Sequence, residues 1–270
     1  MSVPSYPAWH PQATKRPSPN FTPGHSAEIQ AIVLHIAEAG AASSLDWLTS
    51  LKSEVSCGFF ITKTGTLYQL VSLHDSSWTN GLIWQNGRWL TPKQRVVAPT
   101  WPGLIPGKNP NGYTISIEHE GQVGEPLTAA MQRSQSNLLV WLCKQLGWPQ
   151  LLAKYNLIGH NDINPLDKWF CPGNAFDLNL IAQRVNQALN PALSLANYRV
   201  KPTISDDPAE NAAPVLIEPR RAAPVAKIGA DPVRLPPGFE VEVDAEYNGW
   251  LHIAKPAAWG WAEAHLFEQS

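Results

Sequence analysis

Ile29-Gln-Ala-Ile-Val-Leu-His-Ile36 is the stretch that decides the fold. From Ala31 onward it is apolar and largely β-branched except for His35, the pattern of a strand covered on both faces. A central strand therefore ends at a histidine. Working outward, Ser43 and Ser44 precede Leu45, Trp47, Leu48 and Leu51, which predicts a short amphipathic helix with a serine cap. Gly58-Phe-Phe-Ile-Thr62 and Thr66-Leu-Tyr-Gln-Leu-Val71 flank Lys63-Thr64-Gly65 and predict a hairpin. Thr114-Ile-Ser-Ile-Glu-His-Glu120 alternates with period two, placing Ser116, Glu118 and Glu120 on one face and Ile115, Ile117 and His119 on the other. Thr128 caps a packing helix through Met131, Leu138, Trp141 and Leu142, closed by Gly147 and Pro149. Asp177 opens another through Leu180, Ile181, Val185 and Leu189.

The rest of the chain has a different texture. Met1 to Pro23 is rich in Pro, Ser and His, without the basic and then apolar regions of a secretory signal. Gly81 to Tyr113 is broken by Pro and Gly and carries Trp84, Trp89 and Trp101, which reads as a long loop. Pro202 to Pro214 reads as a linker, and beyond it short strands between Pro and Gly turns predict a small all-β barrel. The expected division is a proline-rich lead over 1–24, a main domain over 25–192, a linker over 193–213 and the barrel over 214–270.

The 270 residues are 44% hydrophobic, enough to bury a core and to exclude global disorder. Lys plus Arg number 20 against 22 Asp plus Glu, so no uniform basic field exists to hold a polyanion, and nucleic acid is not an expected partner. No apolar run approaches the ~18 residues of a membrane span, so no membrane insertion is expected. Three cysteines, an odd number, argue against a disulfide framework, and Cys57 and Cys143 read as buried small hydrophobes.

Chemistry concentrates in Gly159-His160-Asn-Asp162-Ile-Asn-Pro165-Leu-Asp-Lys168-Trp-Phe-Cys171-Pro-Gly173. With His35 added, two imidazoles and a thiolate are available, three ligands suited to Zn²⁺ with a fourth position open. Taken by pattern alone, a core histidine, a buried thiol and a surface lysine are the favoured reading.

The blocks Ile32-Val-Leu-His35, Ile115-Ser-Ile-Glu118-His-Glu-Gly121 and His160-x-Asp162-Ile-x-Pro165-x-x-Lys168-x-x-Cys171-Pro-Gly173 resemble the zinc-dependent N-acetylmuramoyl-L-alanine amidases of type 2. That family includes phage endolysins, wall-recycling amidases and peptidoglycan recognition proteins. The resemblance covers about Glu28 to Leu189 and implies an α/β fold, a mixed central sheet flanked by helices with a zinc groove. It implies one Zn²⁺ per chain on His35, His160 and Cys171, with Glu118 as proton carrier and Lys168 as oxyanion stabiliser. Trp78, Asn80 and Trp84 are the expected substrate contacts. Cys57 and Gly58 stand where several relatives carry Tyr or His at the hairpin. The tail resembles bacterial SH3 domains in Gly249-Trp-Leu-His-Ile253 and Gly260-Trp261, which implies wall binding with Trp259 and Trp261 as candidates.

The expected function is zinc-dependent cleavage between N-acetylmuramic acid and L-alanine in peptidoglycan. A phage or prophage endolysin held in the host cytoplasm before lysis fits the sequence, with a leaderless secreted enzyme as the other location. Competing classes are a non-catalytic peptidoglycan-recognition protein and a cysteine peptidase using Cys171 or Cys57.

Overall fold

The computed structural model describes residues 6–189 and, beyond them, the backbone of strand segments 196–200, 213–215, 233–235, 240–247, 250–255, 260–263 and 267–269. The chain divides into two compact units, Met1–Trp148 with Leu152–Ala182, and Pro149–Leu151 with Gln183–Ser270.

The first unit begins with β1 (Thr14–Lys15), β2 (Phe21–Thr22), β3 (Ala31–Ile36), α1 (Ala41–Leu48) and the hairpin β4 (Phe59–Ile61) and β5 (Leu67–Gln69). There follow β6 (Ser76–Ser77), β7 (Ile83–Gln85), β8 (Arg88–Leu90), β9 (Val96–Val97), β10 (Thr114–His119), α2 (Ala129–Leu146), β11 (Leu157–Gly159), the single turn α3 (His160–Ile163) and α4 (Leu178–Leu189), whose residues up to Ala182 belong to this unit. Six strands form one sheet in the order β1-β5-β4-β10-β3-β11. The strands β4, β10, β3 and β11 run parallel, β5 is antiparallel to β4, and β1 is parallel to β5. The sheet is therefore mixed, and every residue of β3 is buried, as its apolar run predicts.

Register decides which side chains share a face. Glu118 lies opposite His35 on one side and Phe60 on the other, so all three project from the same face. That face is covered in two places. Ala31 and Val33 pack with Leu82, Val97, Trp101 and Tyr113, while Phe60 packs with Leu45 and Leu48 of α1. On the opposite face His119 meets the Phe176 ring edge-on at 4.9 Å, and Gln135 of α2 neighbours its imidazole.

The helix boundaries follow local cap chemistry. Thr128 Oγ1 accepts from the Met131 N–H at 3.1 Å, and α2 ends on Gly147 at φ 66°, a left-handed conformation glycine adopts without steric cost. Asp177 Oδ1 accepts from the backbone of Asn179 and Leu180 at the start of α4. The serine cap expected for α1 does not form. The helix starts at Ala41 after Gly40, Ser43 Oγ donates to Gly40 O at 3.0 Å, and Ser44 is buried inside it.

One further expectation is corrected. The segment Gly81 to Tyr113 is not a bare loop but contains the antiparallel sheet β7-β8-β9, and buried Trp101 donates its indole N–H to Tyr155 O at 2.7 Å. The proline-rich lead is built into the first unit. Its β1 is the sheet edge, and Asn20 Nδ2 donates to Ser50 O and Val55 O at 2.8 and 2.9 Å.

In the second unit Ala196–Val200, Glu240–Tyr247, Trp250–Lys255, Gly260–Glu263 and Phe267–Gln269 form one antiparallel sheet, and Ala213–Val215 pairs with Val233–Leu235. Ala196–Val200 falls inside the stretch read as linker and is a strand, paired on both sides. Trp259 lies outside the described residues, and the Trp261 backbone pairs with His252. Among the described residues no helix is long and apolar enough to cross a membrane.

Candidate metal centre and active site

The parallel strands β3, β10 and β11 finish at the same edge of the sheet, where ligands of open α/β sheets usually bind. His35 and Glu118 sit one residue before the ends of β3 and β10, and His160 directly follows β11. The ligand atoms of His35, His160 and Cys171 lie within 4.8 Å of one another, all three residues buried. His35 Nδ1 is 3.9 Å from Cys171 Sγ and 3.9 Å from Glu118 Oε1, and the two imidazole rings meet edge to face at 4.6 Å. In a tetrahedral zinc site, bonds of ~2.0 Å to nitrogen and ~2.3 Å to sulfur set the two donors about 3.5 Å apart. Two imidazoles and a thiol at this spacing fit Zn²⁺.

The loop that carries Cys171 is tied down by Asp162. This buried carboxylate accepts from the Gly159 N–H at 2.9 Å and from Lys154 Nζ at 2.9 and 3.1 Å, while its own carbonyl accepts from Thr100 and Trp101. Cys171 O accepts from Asn161 N at 2.9 Å, and Cys171 N donates to Lys168 O at 3.0 Å. Gly159 permits this closure, since a Cβ there would come within 2.6 Å of Pro172 Cδ.

Asn80 supports the cluster from beneath. Its Nδ2 donates to Thr114 Oγ1 at 2.9 Å and to Ser116 Oγ at 2.8 Å, which orients the carboxamide. Asn80 Oδ1 and His35 Nε2 are both buried without a hydrogen bond of good geometry, yet the carboxamide is close enough to favour the protonated ring. Asn80, an expected substrate contact, is 1% exposed, its carboxamide held in the interior by the Thr114 and Ser116 hydroxyls.

Burial dominates the electrostatics. It holds His35 well below the ordinary imidazole value, helped by His160 and Lys168, and lowers His160 to about 3, again with Lys168 adding to the effect. Both rings are thus neutral near pH 7, the form that ligates metal. Burial raises Glu118 to about 7, with Lys168 opposing it, and pushes the Cys171 thiol up to about 12, with Glu118 contributing. The Cys57 thiol is raised well above its ordinary value by burial and donates to Phe59 O at 3.1 Å. Neither thiol has the lowered pKa of a nucleophilic cysteine, which disfavours the peptidase reading.

A cavity of about 530 Å³ opens over the cluster, lined by His35, Glu118, His160, Lys168 and Cys171 together with Trp78 and Trp47. The carboxylates expected on one strand face separate in role. Glu118 points into this cavity, whereas Glu120 accepts from the backbone of Ala41 at 3.1 Å and of Lys63 at 2.6 Å. Trp84 is not in the cavity wall; it pairs edge to face with Trp89 at 4.8 Å across β7 and β8. Trp47, placed by sequence in an apolar stripe, is 58% exposed and walls the cavity instead, as does Glu38. Their position was not legible locally, because the cavity exists only where α1 meets the sheet edge.

Fold and site together define an α/β protein with a candidate zinc centre at the carboxyl ends of parallel strands. The chain belongs to the Amidase_2 family, N-acetylmuramoyl-L-alanine amidase, whose profile matches residues 25–174. It is 25% identical over 142 residues to N-acetylmuramoyl-L-alanine amidase A of Achromobacter lyticus, an alignment covering 52% of this chain and 62% of that protein, less than two thirds of its length. Similar solved structures include a selenomethionine derivative of AmpD, with a TM-score of 0.47 and 20% identity, covering 67% of this chain and 96% of that one. Another is the amidase LysC from Clostridium intestinale URNW, with a TM-score of 0.42 and 20% identity, covering 66% and 99%.

Proposed function

We propose that this protein is a zinc-dependent amidase that hydrolyses the bond between the lactyl group of N-acetylmuramic acid and L-alanine in peptidoglycan. The observation that carries this reading is the His35, His160 and Cys171 cluster beside Glu118, in a cavity of a chain that belongs to this amidase family. When bound by these three side chains, zinc supplies Lewis acidity that polarises an amide carbonyl and makes a water acidic near neutral pH. Glu118 accepts a proton from the attacking water through its Oε2, which is buried and otherwise unpartnered, and returns it to the departing amine. Lys168 places a cation in the cavity wall where negative charge develops on the carbonyl oxygen. Trp78 and Trp47 offer flat apolar walls to the substrate.

The five-stranded antiparallel sheet of the second unit supports reading the tail as an SH3-like wall-binding module. A second attachment would raise the effective concentration of the cavity at its polymer substrate.

The test is mass spectrometry of purified peptidoglycan after incubation with zinc-loaded protein. Stem peptides with a new free N-terminal L-alanine are expected, and Cys171→Ala is expected to release none. Cuts inside the stem peptide, or wall binding without any product, would refute the assignment.

A further inference from the structure

Besides the three ligand side chains, the charged residues in the wall of the metal cavity are Glu118, Lys168 and Glu38. Glu118 and Lys168 are assigned to the reaction, and Glu120 is occupied outside the cavity by the backbone of Ala41 and Lys63. Glu38 is exposed, and among the described residues neither a hydrogen bond nor an ion pair holds its carboxylate. Its backbone lies at φ 54°, a left-handed conformation that is disfavoured for a residue with a Cβ and open to glycine without steric cost. Both flanks of this turn are fixed, since Ala37 N donates to His119 O at 2.9 Å and Gly121 N donates to Ala39 O at 3.2 Å. The carboxylate is therefore presented to the cavity from a rigid turn. Its charge is felt at the metal centre, where it adds to the rise of the Cys171 thiol.

Strained backbone at a cavity wall, carrying a carboxylate that no part of the fold uses, points to a ligand rather than to stability. An ionised carboxylate only accepts hydrogen bonds, so its partner is a donor. A primary ammonium supplies a charge-assisted hydrogen bond, roughly twice as strong as one from a neutral amide. A second metal ion is a poorer fit, because Glu38 belongs to no group of metal-ligating side chains among the described residues. We propose that Glu38 sets substrate preference by charge, receiving a side-chain ammonium on the peptide side of the cleaved amide, so that stem peptides with a free amine are cleaved ahead of those in which it is blocked. This inference rests on the amidase reading and adds to it a residue that chooses among stem peptides. The scissile bond is the same in both kinds of substrate, so the discrimination is read as a ratio of kcat/KM values.

The probes are N-acetylmuramoyl-L-alanyl-D-γ-glutamyl-L-lysine and the same compound with the lysine Nε acetylated. Peptide release is measured with the zinc-loaded full chain and with Glu38→Gln and Glu38→Lys, after circular dichroism and zinc analysis verify that each variant is folded and loaded. The unaltered protein is expected to prefer the free amine by about fivefold, the upper scale of an exposed ion pair. Glu38→Gln keeps the size of the side chain and removes its charge, so the ratio is expected to fall close to one, and Glu38→Lys is expected to favour the acetylated compound. Equal rates on the two compounds by the unaltered protein, or a preference that survives in Glu38→Gln, would overturn the proposal and leave the amidase assignment standing. Cleavage of neither compound would refute that assignment and this inference with it.

Discussion

At the scale of single residues, the site is built from side chains whose identity is local but whose state is set by burial. Glu118 and His35 are adjacent in register, so neither function nor metal retention can be assigned to one by proximity alone. Glu118→Gln separates them. The variant keeps the size and acceptor oxygen of the side chain but cannot take a proton, so it is expected to retain one zinc per chain while turnover falls about 10²–10⁴-fold. Elemental analysis against product release checks this, and an active variant with zinc bound would remove Glu118 from the mechanism. Asn80 makes a second case. Outer partners of metal-bound histidines typically contribute 10–100-fold in affinity, so Asn80→Ala is expected to weaken zinc binding by about tenfold or more, read by competition with a chelating indicator. Unchanged affinity would show that the carboxamide only fills space. The resemblance of the three blocks pointed to His35, His160, Lys168 and Cys171, whereas Asn80, expected among the substrate contacts, is 1% exposed. Nothing local to Trp78-Thr-Asn-Gly81 says that the Thr114 and Ser116 hydroxyls draw this amide inward.

At the scale of elements, strands and the two longer helices followed from period and cap, while short or composite elements did not. Ser43 and Ser44 carry the chemistry of a cap, yet α1 begins before them because Ala41 N donates to Glu120 Oε1, a partner 79 positions away. The strands β7, β8 and β9 are two or three residues long, too brief for alternation to register. The turn between β11 and the Cys171 loop depends on Asp162, whose carboxylate joins Gly159 and Lys154. Asp162→Ala leaves the buried Gly159 N–H unpaired, and a loss of about 1–3 kcal/mol in urea unfolding is expected, together with weaker zinc binding. Leu138→Ala, on the fully buried side of α2, is expected to cost about 2–5 kcal/mol without altering zinc affinity at temperatures where it is folded. Equal effects of the two on metal binding would mean that Asp162 acts through general stability only.

At the scale of the whole molecule, metal binding and wall binding have separate readouts. A ligand that binds only the folded state stabilises it, so zinc at about a hundred times its dissociation constant adds roughly 2.7 kcal/mol. Chelation is therefore expected to lower Tm by several degrees in the full chain, and Cys171→Ala to lose most of that response. If the second unit tethers the enzyme, Trp261→Ala is expected to reduce sedimentation with purified walls, while cleavage of a soluble muropeptide continues. Full retention on walls would reject Trp261 as a contact.

The amino-acid sequence by itself determined the longer strands and helices, and which donor atoms are present, because hydrophobic period, cap chemistry and ligand type are properties of neighbours along the chain. It also carries the three blocks that resemble the amidase family. Only the tertiary structure decided that His35 and Cys171, 136 positions apart, face one another at 3.9 Å. Parallel pairing of β3 with β10 and β11 brings their carboxyl ends together, and the packing of α1 and residues 82–113 on one face removes water around the cluster. That long-range burial, rather than residue type, makes the imidazoles neutral, lifts Glu118 to about 7, and turns Asn80 inward while Trp47 and Trp169 stay exposed.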